Sequence, residues 1–207
     1  MNATPRKRAP RGEGEQLRAQ ILDATEELLA REGDQDAVSI RAIASRVGCT
    51  APSIYRHFDD KTALIFEVCD RLFEDLQAEM TARAGALADP IEVLHAIGRA
   101  YLEFGLAHPE QYRIMFMTRT TNPTPDSFLD RVVGEDTTFG ILVGAITAAM
   151  EAGAVARDDP FRMAVDFWTM AHGVTSLAIS GTPFFPYPDP RDELDRLTDL
   201  ALRALAP

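Results

Sequence analysis

Apolar residues in this chain recur at spacings of three and four almost throughout, and no run keeps the period of two that a half-buried strand requires. Leu17, Ile21, Ala24 and Leu28 share one helical face, and the stretch closes at Gly33. Ile40, Ile43, Ala44 and Val47 mark a short second helix, with Ser39 placed to cap its start and Gly48 to end it. Thr50 stands as the cap of a third helix. Pro52 falls in its first turn, where a missing N–H is harmless, and Ile54 and Phe58 turn inward. Asp59 and Asp60 open a long fourth helix striped by Leu64, Val68, Leu72, Leu76 and Met80, and their charge suits its N-terminal dipole. Beyond it the pattern predicts helices over roughly 89–107, 109–117, 126–152, 158–180 and 190–206, with loops at Thr118–Pro125 and Gly181–Pro190. Residues 1–13 hold Pro5, Pro10, Gly12 and clustered positive charge with nothing apolar to bury, and are expected to be a disordered basic tail. The fold class is all-α, with a small three-helix domain over 14–60 and a larger helical bundle over 61–207.

Composition fits a globular chain: of 207 residues, 46% are hydrophobic and 26% charged. The net charge of −11 argues, taken whole, against a nucleic-acid partner. Position reverses that inference. Residues 1–61 carry ten Lys/Arg against ten Asp/Glu, so all of the acidic surplus lies after Lys61. Within the neutral part, positive charge gathers at Arg6, Lys7, Arg8 and Arg11 and again at Arg56 and Lys61, so the two parts are expected to have different partners. Cys49 and Cys69 are too few for a disulfide framework and fit no zinc spacing, and His95, His108 and His172 are scattered. No metal and no cofactor is expected. The sequence has no nucleophile elbow, HExxH, GxGxxG or P-loop motif, which leaves an all-α enzyme the least favoured reading. Neither a secretory apolar segment nor a run of about 18 apolar residues is present, so a cytoplasmic protein with no membrane partner is expected.

The segment from Val38 to Phe58 has the layout of a helix-turn-helix. Its second helix would enter a major groove, its first would cross the phosphates, and Gly48 would let the two cross closely. The outward positions of the third helix are Thr50, Ala51, Ser53, Tyr55, Arg56 and His57, and no acidic residue occurs from Arg41 to Phe58. A groove-entering helix needs that gap, because phosphate contact supplies much of the affinity. An ordinary helical hairpin with a solvated polar face has the same spacing.

The run from Val38 to Ile65 resembles the DNA-binding signature of the TetR family of bacterial transcriptional regulators. The likeness lies in the pair Ile43-Ala44, the turn residue Gly48, and the series Tyr55, Phe58, Lys61 and Leu64. It implies that Thr50 and Ser53 bond phosphate or base edges, that Tyr55, His57 and Lys61 contact phosphates, that Arg41 contacts phosphate or base, and that Phe58 is core. Tyr55 as a packing residue, His57 as a helix cap and Arg56 as a solvated charge stay open as alternatives. The chain departs from the family at Ala51-Pro52, where a small-and-basic pair is usual, so its preferred DNA sequence is expected to differ.

The second part is similar to the effector and dimerisation domain of the same family, narrowly to the type carrying Trp-His-Gly, here Trp168, His172 and Gly173. Phe161, Val165, Trp168, His172, Thr175 and Ile179 form an a/d-like seam, as do Leu194, Leu197, Ala201 and Leu205. Paired across two subunits these helices would make a four-helix homodimer interface, and a symmetric dimer reads a pseudo-palindromic double-stranded DNA operator. His172 on such a stripe is more often a satisfied core or interface residue than a ligand group. Aromatic and methionine side chains (Phe66, Phe73, Tyr101, Phe104, Met115, Phe116, Phe139, Met150) are candidates to line an apolar cavity, although packing is their default role. The candidate effector set is Phe66, Phe104, Met115, Phe116, Phe139, Trp168 and His172. The resemblance thus implies a homodimeric repressor released by a small, largely apolar effector that tilts the fourth helix. The rival is a helical ligand- or protein-binding module without operator-specific DNA binding.

Overall fold

The computed structural model describes residues 13–117, 134, 137–181 and 189–206, and all regular structure among them is helical. The basic tail, the loop over 118–125, most of the segment from 126 to 136 and the loop over 182–188 lie outside the described residues. The helices are α1 (Glu13–Glu32), α2 (Ile40–Val47), α3 (Ala51–Ile54), α4 (Lys61–Ala84), α5 (Pro90–Ala107), α6 (Pro109–Phe116), α7 (Thr138–Glu151), α8 (Pro160–Ser180) and α9 (Pro190–Ala204). The chain divides into two compact units, with the boundary inside α4 between Cys69 and Asp70. No helix of the described residues is long and apolar enough to cross a membrane.

In the N-terminal unit, α1, α2, α3 and the start of α4 bury Ile21, Leu28, Ile43, Ile54, Phe58 and Leu64. The Ser39 hydroxyl accepts from the Ala42 N–H at 3.2 Å, and Gly48 takes the left-handed conformation (φ 78°) that lets its own N–H and that of Cys49 close on the Ala44 carbonyl. Asp60 caps α4 by accepting from the Ala63 N–H at 2.8 Å. The third helix is shorter than expected. After one turn, the N–H groups of His57 and Phe58 both donate to the Ile54 carbonyl, a tightened turn that buries Phe58 and delivers Asp60 to its capping position. Thr50 occupies the cap position, but its hydroxyl pairs with that of Ser53 at 2.9 Å and caps nothing.

In the C-terminal unit, α5 and α8 pack on each other, and both also pack on α7 and α9. Three of these helices start by one device. Asp89, Asp159 and Asp189 each accept from the N–H two residues on, at 2.8, 3.0 and 2.9 Å, ahead of Pro90, Pro160 and Pro190 at the first helical position. α7 begins at Thr138 rather than near residue 126, because the Thr137 side chain accepts from the Gly140 N–H and fixes the start there. At Gly105 the backbone of α5 comes so close to α8 that a Cβ would stand 2.3 Å from the Thr175 Cγ2. The Arg113 guanidinium donates to the Ile179 carbonyl at 2.9 Å, satisfying an orphan acceptor in the last turn of α8. Between α5 and α9, Arg99 pairs with Asp195 and Arg191 with Glu103. These are surface pairs, worth about 1 kcal/mol or less each.

Candidate functional site

The expected DNA-reading residues fall into two groups. Arg41, Thr50, Tyr55 and Arg56 are exposed, Tyr55 at 53%, so Tyr55 is not the packing residue it could have been. A hydrogen-bond chain links them in part: Thr50 to Ser53 at 2.9 Å, and the Arg56 guanidinium to the Ser53 hydroxyl at 3.1 Å. Ala51 and Ser53 are half-buried at the start of α3. Arg46 is held bidentately by Glu27 of α1, which leaves Arg41 as the arginine of α2 that no carboxylate neutralises among the described residues. His57 is half-buried; its Cε1 lies 3.9 Å from where a Cβ on Gly14 of α1 would stand.

Lys61, expected on phosphate, also has partners within the protein. Its ammonium donates to the carbonyls of Gln35 and Val38 at 2.9 and 3.2 Å, tying the α1–α2 connection to the first turn of α4. A flexible four-carbon stem can reach inward as easily as outward, and here the carbonyls of two buried residues capture it. Replacing Lys61 by Met should therefore destabilise the N-terminal unit by about 1–2 kcal/mol, seen as lost hydrogen-exchange protection of α1 and α2. Unchanged protection together with weakened DNA binding would return Lys61 to a phosphate-contact role. Arg18 makes a comparable tie, pairing with Glu67 of α4 while lying over the Phe58 ring at 5.2 Å.

The C-terminal unit holds a cavity of about 260 Å³. α4 contributes Phe73 and Met80, α5 contributes Ile97 and Tyr101, and α6 contributes Phe116; α7 and α8 supply the rest, including Phe139, Phe161, Val165 and Trp168. Three of the seven expected effector residues, Phe116, Phe139 and Trp168, line it. Phe66 is buried in the N-terminal unit, Phe104 packs on the His108 ring at 5.2 Å, Met115 packs on the core, and His172 stands behind the wall. Phe161 and Val165, expected in a dimer seam, line the cavity and are exposed at 46% and 37%. Leu194, expected in the second seam, is only 2% exposed because it packs into the chain's own core, while Leu197, Ala201 and Leu205 are half-buried against that core. Sequence reasoning missed Ile97, Thr138, Leu142 and, on α8, Phe167 and Ala171. The spacing Ala164, Phe167, Trp168, Ala171 is a continuous helical face that could have found the last two.

Behind the wall three polar groups meet. The hydroxyls of Tyr101 and Tyr112 lie 3.0 Å apart, and the His172 Nδ1 is 3.0 Å from the first and 2.6 Å from the second. Burial pushes the Tyr112 phenol up to about 12 and the Tyr101 phenol higher still, so both stay protonated and donate. Burial lowers the His172 pKa, which favours the neutral imidazole whose Nδ1 accepts. Below the ordinary histidine value of about 6.5 the unfolded chain takes up a proton that the folded chain refuses, so stability should fall as pH drops from about 6.5 toward the lower folded value. His172→Gln should flatten that part of a pH–stability curve measured by denaturant titration; an unchanged slope would place the titration elsewhere. Among the described residues no group of three or more His, Cys, Asp or Glu is placed to hold a metal ion. His95 sits between Asp195 and Asp199 of α9, each facing a different ring nitrogen, so the three do not converge on one point.

Residues 94–205 match the model described as the tetracyclin repressor-like C-terminal domain, and residues 21–68 match that of the bacterial regulatory proteins of the tetR family. An uncharacterized HTH-type transcriptional regulator of Mycobacterium tuberculosis is 26% identical over 192 residues, covering 91% of this chain and 80% of that one. The HTH-type transcriptional repressor KstR of the same organism is 35% identical over 78 residues, 38% of this chain and 35% of its own. A solved protein of unknown function from Rhodococcus sp. RHA1 superposes with a TM-score of 0.78 at 23% identity, covering 99% of this chain and 100% of that one.

Proposed function

Since the chain belongs to the TetR family of bacterial regulatory proteins, and is thus a DNA-binding transcriptional regulator and not an enzyme, we propose that it is a cytoplasmic homodimer that represses until a small apolar effector occupies the C-terminal cavity. The observation that carries the effector half is the cavity itself, walled by aromatic rings and touching α4 at Phe73 and Met80. α4 is one uninterrupted helix that also supplies Lys61 and Leu64 to the N-terminal unit. An effector that binds better to one setting of α4 shifts the population toward it, by no more than its difference in affinity for the two settings. Repression is supported by the likeness to KstR, which is confined to 38% of the chain. A dimer is supported by apolar side chains left in water on α8 and α9, Phe161, Val165 and Leu200, the last 53% exposed.

The test is binding to genomic fragments, followed by anisotropy titrations of the selected site at several salt concentrations. A discrete pseudo-palindrome bound in a steeply salt-dependent way is expected. Arg41→Ala should weaken binding to all sequences and lower the magnitude of the salt slope by about one. Salt-independent or absent binding would overturn the reading in favour of a helical binding module.

A further inference from the structure

The cavity wall carries no charged side chain, and two of its three polar side chains are committed within the protein. Of the side chains that line it, Thr138, Tyr101 and Trp168 carry a nitrogen or oxygen. The Thr138 hydroxyl donates to the Phe73 carbonyl at 3.2 Å. The Tyr101 hydroxyl is shared between Tyr112 and His172, which leaves the Trp168 indole N–H as a single neutral donor in the wall. The remaining wall is Phe, Met, Ile, Leu, Val and Ala, with no Lys, Arg, Asp or Glu. At the exposed end Phe139, Phe161 and Val165 present the same apolar surroundings.

An ionised group entering such a site exchanges hydration for one neutral donor at most, at a cost of several kcal/mol. Aromatic faces would return about 2 kcal/mol to a cation and repel an anion, so desolvation wins for either sign. Size narrows the choice further. An apolar cavity of about 150 Å³ takes benzene, and this one is about 260 Å³. We propose that the cavity selects an uncharged organic molecule with a hydrocarbon body of about two-ring size. This inference rests on reading the cavity as the effector site.

Three probes of one shape decide it: 4-tert-butylbenzyl alcohol, 4-tert-butylbenzoate and 4-tert-butylbenzylammonium, titrated into the full chain at pH 7.5. Trp168 is the chain's one tryptophan and stands in the wall, so its emission reports occupancy without a label, and calorimetry gives the affinities. The alcohol should bind at least tenfold more tightly than either ion. Binding of the benzoate or the ammonium within tenfold of the alcohol overturns the inference and leaves the effector reading intact. An alcohol that binds selectively without loosening the operator complex leaves the inference standing and overturns the effector reading. No emission change and no heat from any of the three overturns both.

Discussion

Tyr112→Ala should cost the C-terminal unit about 3–5 kcal/mol, the range of large aromatic truncations in a packed core. The side chain is fully buried, and its ring contacts those of Tyr101, Phe116 and His172 at centroid distances of 5.7, 4.9 and 5.6 Å. Its hydroxyl closes the hydrogen-bonded triangle with Tyr101 and the His172 imidazole. Against a typical total of about 5–15 kcal/mol, that loss threatens the fold of the unit. Tyr112→Phe keeps the ring and should cost only about 1–2 kcal/mol, because the Tyr101 hydroxyl still reaches the His172 Nδ1 at 3.0 Å. Guanidinium titrations of the two variants separate packing from hydrogen bonding. Equal losses would place the stabilisation in the hydroxyl, and a loss below about 1 kcal/mol for the Ala variant would contradict the packing argument altogether.

Gly105→Ala and Gly98→Ala, both on α5, should move stability in opposite directions. Helix propensity favours Ala over Gly by up to about 1 kcal/mol at either position. At Gly98 the new methyl meets Leu194 at 3.7 Å, an ordinary contact, so that gain survives. At Gly105 it would stand 2.3 Å from the Thr175 Cγ2 and 3.1 Å from the Tyr112 ring. Neither neighbour can yield: Thr175 is fully buried with its hydroxyl on the Ala171 carbonyl, and Tyr112 is fixed by the triangle. Overpacking then outweighs propensity, with a net loss of about 1–3 kcal/mol and a melting temperature lower by roughly 2–4 °C for each kcal/mol. A neutral Gly105→Ala would mean that α5 and α8 separate more readily than their close approach implies.

The helical plan was legible because it rests on local chemistry. Ser39 and Gly48 bound α2 as their side-chain and backbone preferences require, and the apolar stripe of α4 is buried from Leu64 to Met80. The brevity of α3 was not legible, since Tyr55-Arg56-His57 carries no helix breaker and the stop is imposed by seating Phe58 and Asp60. Spacing says which side chains share a face and not what covers that face. Phe161 and Val165, expected in a seam, also line a cavity while staying exposed, and Leu194, placed in the second seam, is buried by its own chain. Long side chains are the least readable of all. The resemblance puts Lys61 on phosphate, and its ammonium also bonds two carbonyls that no periodicity singles out.

The cavity has one more consequence, which concerns volume rather than chemistry. Unfilled apolar space makes a folded unit larger than the sum of its atoms, and unfolding lets solvent reclaim that space. A C-terminal unit with such space among its side chains yields to hydrostatic pressure more readily than a close-packed one. A molecule that fills the space removes the void, so occupancy makes the unit stiffer and pressure-resistant whether or not it adds a single hydrogen bond.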